Sequence, residues 1–170
     1  MLTKIQILLI MGDMDSDKHL TKHVRVSYHT MYRSPRSRNA AVAAACLIEQ
    51  ALPHFRQLLQ FPDDIKIRIA GIKGCIRGRY IWRSSLAVLD NQLIYKPREL
   101  MRVLAHELVH AEQYHQGRLA NVLGEYRWHG EPNKNKGSTY AAYRKRPWEI
   151  EAFSRQDELG DHVAAALNLE

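Results

Sequence analysis

Cysteine is scarce in this sequence. Cys46 and Cys75 are the only two in 170 residues, too few for a disulfide framework. Two free, buried thiols are expected, and with them a reducing, cytoplasmic setting. Long hydrophobic runs are lacking too. The longest near the start, Ile5 to Met11, is interrupted by Gln6 and falls far short of the ~18 apolar residues of a membrane-spanning helix. Gly12-Asp13-Met14-Asp15 follows it where a signal peptide would carry small residues. A first β-strand is expected there instead, and no membrane partner. There is no internal repeat and no low-complexity linker. Gly71, Gly74 and Gly78 match neither GxGxxG nor a loop ending in Gly-Lys-Ser/Thr, so they read as turns between short strands, not as a phosphate-binding loop. Negative charge is in deficit, leaving a net charge of +7, which favours acidic partners. Arg33, Arg36 and Arg38 form one basic group; Lys134, Lys136, Arg144, Lys145 and Arg146 form another. Neither is a dense tract interleaved with aromatics. A solvated basic surface is expected, and nucleic acid is a partner the sequence permits without requiring.

What is present fits one domain spanning residues 1–170, long enough to bury a core without staples. Residues 13–38 are polar and irregular. From Ala40 to Gln60, apolar Val42, Ala45, Ile48, Leu52, Phe55 and Leu59 recur at gaps of three and four. That is a helix face, with Asn39 as its expected cap and Pro53 as a kink or break. Ile65, Ile67 and Ile69 alternate with Lys66 and Arg68, marking a half-buried strand. Strand material is expected again from Trp82 to Tyr95, turning at Asp90-Asn91. Pro97 opens a second helix, which ends near Gly117. Residues 118–146 are expected to be loop with one short hairpin. A last helix is expected from Pro147 to about Leu167, with Ile150, Phe153, Leu159, Val163 and Leu167 facing inward. The class is α+β: a small mixed sheet packed on an N-terminal helix and a central helix, followed by a C-terminal helix.

Chemistry concentrates in the central helix. Residues 106–110 read His-Glu-Leu-Val-His. One helical turn separates His106 from His110, so both imidazoles reach one metal ion. Glu107 is rotated about 100° from His106, which puts it beside the metal as a general base. A buried His-Glu pair on so apolar a face is costly without a metal. Catalytic zinc takes three protein ligands and leaves one position open. His115, nine residues from His106, points to the far side of the helix. Gln113 and Gln116 stand where a metzincin extension would need Gly and His. His19, His23 and His29 have no carboxylate or cysteine at ligand spacing and read as surface residues. The third ligand is sought in Glu149 or Glu151, two residues apart so that only one can face the metal, or in His129 of Trp128-His129-Gly130.

An HExxH helix followed by a second, Glu-bearing helix resembles the gluzincins, the thermolysin-like branch of the zincins. Their third ligand begins a Glu-Ala-x-Ser pattern, matched here by Glu151-Ala152-Phe153-Ser154. The resemblance implies a zincin-like fold and the ligand set His106, His110 and Glu151 around zinc. The chain is also similar to short bacterial and phage metallopeptidase-like proteins that share HELxH and a later Pro-Trp-Glu-x-Glu-Ala. The gluzincin pattern carries an aspartate four residues after its Glu. Arg155 stands there, with Asp157 or Glu158 as substitutes to orient a histidine. A second resemblance, to the SprT-like family, rests on His129-Gly130 and implies action on DNA-associated proteins. Together these imply a zinc metallopeptidase acting on a peptide or protein, with Glu107 as base. Tyr140, Tyr143, Arg144 and His129 are candidate oxyanion donors. The alternative is a zincin-fold binding protein without turnover. A substrate strand is expected to add to the last strand of the sheet at the cleft edge.

Overall fold

The computed structural model describes residues 24–26, 34–135 and 137–169. The expected strand at Ile5–Met11, the histidines at 19, 23 and 29, Arg33 and Lys136 lie outside them.

Strand β1 (Val24–Val26) precedes helix α1 (Pro35–Leu58). The helix starts earlier than Asn39 because Ser34 caps it, its hydroxyl accepting from the Ser37 amide at 3.2 Å, with Pro35 at the first helical position. It continues through Pro53 as one element. Its apolar stripe, including Ala45, Ile48, Leu52 and Phe55, is buried.

Four strands form the main sheet: β1, β2 (Lys66–Ala70), β3 (Gly78–Ile81) and β4 (Leu86–Asp90). Their order is β1-β2-β4-β3. β1 pairs parallel with β2, and β2 with β4, while β3 runs antiparallel along β4. Ile65, Ile67 and Ile69 are fully buried, as their alternation predicts. A 3-10 turn at Trp82–Ser84 reverses the chain between β3 and β4, its end fixed by Ser85 at φ 47°. After β4 the chain leaves the sheet in a second 3-10 turn, Asn91–Tyr95, capped by Asp90. The stretch Trp82–Tyr95 is thus one strand between two turns. Among the described residues, the edge of the sheet next to α2 is β3, not the last strand in sequence: β4 pairs parallel with β2 and so takes an inner position.

Helix α2 (Pro97–His115) carries the HExxH residues, and β3 packs against it. A three-stranded antiparallel sheet follows, β5 (Leu119–Val122), β6 (Glu125–Trp128) and β7 (Glu131–Pro132). It is one strand larger than the expected hairpin. After the short α3 (Tyr140–Arg144), helix α4 (Pro147–Ala166) lies along α2. Gly160 permits that approach: a Cβ there would stand 2.7 Å from the Arg102 Cα. One apolar core joins α1, the main sheet, α2 and α4, through residues such as Phe55, Ile67, Leu104 and Val163.

This is a mixed α+β architecture. No helix among the described residues is long and apolar enough to cross a membrane. Both cysteines are free, but neither is fully buried: Cys46 is half-buried and Cys75 exposed.

Candidate metal centre

α2 is apolar enough to be sunk in the core over most of its length, so its chemistry-bearing residues are buried with it. His106 and His110 are each 7% exposed, and Glu107 3%. Spaced one turn apart, the two imidazoles bring their Nε2 atoms to 3.2 Å. Facing them from the first turn of α4 is Glu149, also 3% exposed. Its Oε2 lies 3.3 Å from His106 Nε2 and its Oε1 3.4 Å from His110 Nε2. Among the described residues, these three form a group that could hold a metal ion.

The outer nitrogens decide what the inner ones are. His110 Nδ1 is 2.8 Å from Gln113 Oε1, and the other end of that amide donates to the Trp148 carbonyl at 3.0 Å. His106 Nδ1 is 3.0 Å from Gln156 Oε1, whose Nε2 donates to Asp157. Both Nδ1 atoms therefore carry the hydrogen and donate it. In the neutral imidazole, both Nε2 atoms are then bare acceptors. They point at each other and at a carboxylate, in a buried place. Such a convergence of lone pairs needs a cation at its centre, whether a metal ion or protons. Protons give a partial answer: burial lowers the affinity of His110 for one, but the Glu149 carboxylate outweighs it and raises the pKa. The same contacts, against burial, bring Glu149 down to about 2.

Glu107 is placed differently. Its Oε2 is buried without a hydrogen-bond partner. Burial raises its pKa against the pull of His106 and His110. Its Oε1 faces the start of β3, where only glycine fits: a Cβ at Gly78 would come within 2.4 Å of that oxygen and 2.9 Å of Val103 Cγ1. The strand thus presses its backbone onto the helix at the carboxylate. Two hollows flank this contact, and Gly78, Glu107 and Tyr143 border both. The one on the His110 side, about 240 Å³, is also lined by Tyr114, Tyr126 and Trp148. The one on the His106 side, about 170 Å³, is lined by Cys75, Tyr140 and Phe153.

Glu151, expected beside the histidines, is not in this group. Its carboxylate is tied to Arg118 and Arg155, and it accepts from Gln113 at 3.3 Å. The buried face of α4 runs through Glu149, Ala152, Gly160 and Val163; Glu151 lies on a neighbouring stripe with Arg155. That face also leaves Ile150 at 56% exposure, against its expected inward place. His129 sits exposed in the β6–β7 turn at φ 50°, its ring against Trp128. His115 is exposed at the end of α2.

Of the four oxyanion candidates, Tyr143 alone borders both hollows. Arg144 stacks over Phe153 instead. Asp157 and Glu158 do not orient a histidine; Gln113 and Gln156 do. Both glutamines were missed in the sequence. The three-residue gap from His110 to Gln113 was a signal that could have found one of them. No protein-family model, no curated protein and no solved structure matches the chain.

Proposed function

We propose that this chain is a zinc-dependent metallopeptidase of zincin-like architecture, with His106, His110 and Glu149 as the metal ligands and Glu107 as the general base. The observation that carries the proposal is the spacing of the three donor groups. Ligand atoms about 2.0–2.1 Å from a tetrahedral zinc stand roughly 3.3–3.4 Å from one another. Here the donor atoms are 3.2, 3.3 and 3.4 Å apart, with lone pairs inward and both outer nitrogens held by amides. The alternative third ligand, His129, has no place near the pair, which weighs against the SprT-like reading. The retained, unpaired Glu107 weighs against a binding module that has lost its chemistry.

Zinc held there supplies a Lewis acid and a water whose pKa is lowered to about 7. The chain does the rest. Glu107 Oε2 has no competing hydrogen bond, so it is free to take the proton of the attacking water and hand it to the leaving amine. Its raised pKa suits both tasks. Tyr143, which borders both hollows beside Glu107, is the donor for the oxygen that gains charge in the transition state. The outer side of β3 pairs with no strand among the described residues, and an extended peptide pairing with it would lay an amide bond beside Glu107.

The test is zinc content and peptide hydrolysis of purified variants. Glu149→Ala is expected to lose bound zinc, Glu151→Ala to keep it, and Glu107→Gln to keep zinc while losing hydrolysis. Zinc retained in Glu149→Ala, or full hydrolysis by Glu107→Gln, would overturn the proposal.

A further inference from the structure

Arginines lining the cleft divide into two kinds. Arg77, on the His106 side, is engaged: it meets Asp90 at 3.5 Å, Glu99 at 3.9 Å and the Gln92 side chain at 3.0 Å. Arg56, Arg98, Arg102, Arg118 and Arg155 also meet carboxylates elsewhere in the fold. Arg79 and Arg146, which line the hollow on the His110 side, form no ion pair among the described residues.

Arg146 is the better held of the two. Its guanidinium lies 5.3 Å from the centre of the Tyr143 ring and 5.9 Å from that of Trp148. Trp148 is itself stacked on Tyr126 at 5.6 Å. Among the described residues, the hydrogen bond that the Arg146 side chain donates is a long one, 3.5 Å to the Gly137 carbonyl, and its Nε is buried without a partner. An arginine braced by two rings has already lost much of its side-chain freedom. Its planar fork is therefore ready for a two-oxygen anion. Arg79 approaches from β3, exposed on the strand edge where a peptide would pair, and its charge reaches Glu107.

We infer that the hollow on the His110 side is a carboxylate-recognising subsite, in which Arg146, assisted by Arg79, binds an acidic group of the substrate next to the bond to be cut. This deepens the metallopeptidase reading and rests on it for the bond cleaved, though not for the binding. The carboxylate has two sources, an Asp or Glu side chain and a free C-terminus. The first makes the protein an endopeptidase selective for acidic residues, the second a carboxypeptidase. The chain's net charge of +7 acts in the same direction, drawing acidic substrates toward the cleft.

The experiment measures peptide binding to zinc-loaded Glu107→Gln protein by competition anisotropy. Its probes are N-acetylated Ala/Gly hexapeptide amides carrying one Glu or one Gln, placed at each position in turn. A further set carries Gln only and ends in a free carboxylate. At one position, or at the free terminus, the acid probe is expected to bind at least about tenfold tighter than its amide twin, as befits a charge-assisted hydrogen-bonded pair. That advantage should fall below about twofold in Arg146→Gln, shrink in Arg79→Gln, and be partly kept in Arg146→Lys. Zinc content and thermal melting confirm that each variant is folded. If no acid probe binds better than its amide twin, or the advantage survives both arginine-to-glutamine changes, the inference is overturned. If the preference holds while wild-type protein leaves these peptides and an unbiased peptide library uncut, the subsite stands and the peptidase reading falls.

Discussion

The two glutamines behind the histidines set the character of this centre. Metal-bound imidazoles commonly donate their outer N–H to a carboxylate or a carbonyl, and such partners hold ring orientation and tautomer. Here both partners are neutral amides, so the two imidazoles are oriented without added negative charge. Gln113 does double duty: it fixes His110 and ties it to the Trp148 carbonyl and to Glu151. Replacing Gln156 with Leu is expected to weaken zinc binding about 10–100-fold, measured by competition with a chromophoric chelator. Gln113→Leu should do the same and also lower stability, because the Trp148 carbonyl would lose a buried donor at a cost of about 1–3 kcal/mol. Unchanged zinc affinity in both variants would show that the amides are only packing. At this scale the sequence was legible where spacing is local. His106, Glu107 and His110 are fixed by one helical turn. Gln156 is fifty residues from its histidine, and no spacing rule reaches that far.

At the scale of elements, the fold favours Glu149 where the motif favours Glu151. Glu149 and Glu151 both lie in the first two turns of α4, and a motif match pointed to Glu151. The helix's buried stripe points to Glu149. Counting back from Val163 through Gly160 and Ala152 in steps of three, eight and three leads to position 149. That phase was hidden because Ala152, Gly160 and Ala164 in the stripe are small, while Ile150 and Phe153, large and apolar, lie off its centre. Small residues are there because α2 and α4 pack closely. Gly160→Ala should force them apart at a cost of about 1–3 kcal/mol, seen as a melting temperature roughly 2–12 °C lower. Gly78→Ala acts on the other side of α2. Its methyl group would collide with the Glu107 carboxylate and Val103, so hydrolysis should fall steeply while zinc content is kept. Equal activity in Gly78→Ala would mean that β3 and Glu107 have room to part.

Across the whole molecule, α1, α2 and β2 were legible because their apolar periods are strong, 3.6 in the two helices and two in Ile65-Ile67-Ile69, whereas the single turn of α3 carries no such period. Strand order was not, because nothing local in Leu86–Asp90 says that it will pair parallel with β2 and leave β3 at the edge. That non-local choice makes the site, since it lays Gly78 against Glu107. The His106, His110 and Glu149 group then joins parts that are far apart in sequence, α2 and α4, at one end of their contact, while Arg98 and Arg102 meet Asp161 further along it. A metal bound to this folded arrangement and not to the unfolded chain must stabilise the whole. Free zinc at a hundred times its dissociation constant should add about 2.7 kcal/mol, or roughly 5–11 °C in melting temperature for a chain of this size. Chelation with EDTA should remove that gain, and Glu149→Ala should show none at any zinc concentration. Calorimetric melts of the two proteins, with and without zinc, separate the outcomes. If zinc raised the melting temperature of both proteins equally, it would be binding somewhere other than between α2 and α4. Acidification should erase the gain as well, since two imidazoles and a carboxylate must be free of protons to hold a metal. The zinc-dependent rise should therefore be present at neutral pH and shrink as pH falls and protons occupy His110, whose affinity for them Glu149 has raised.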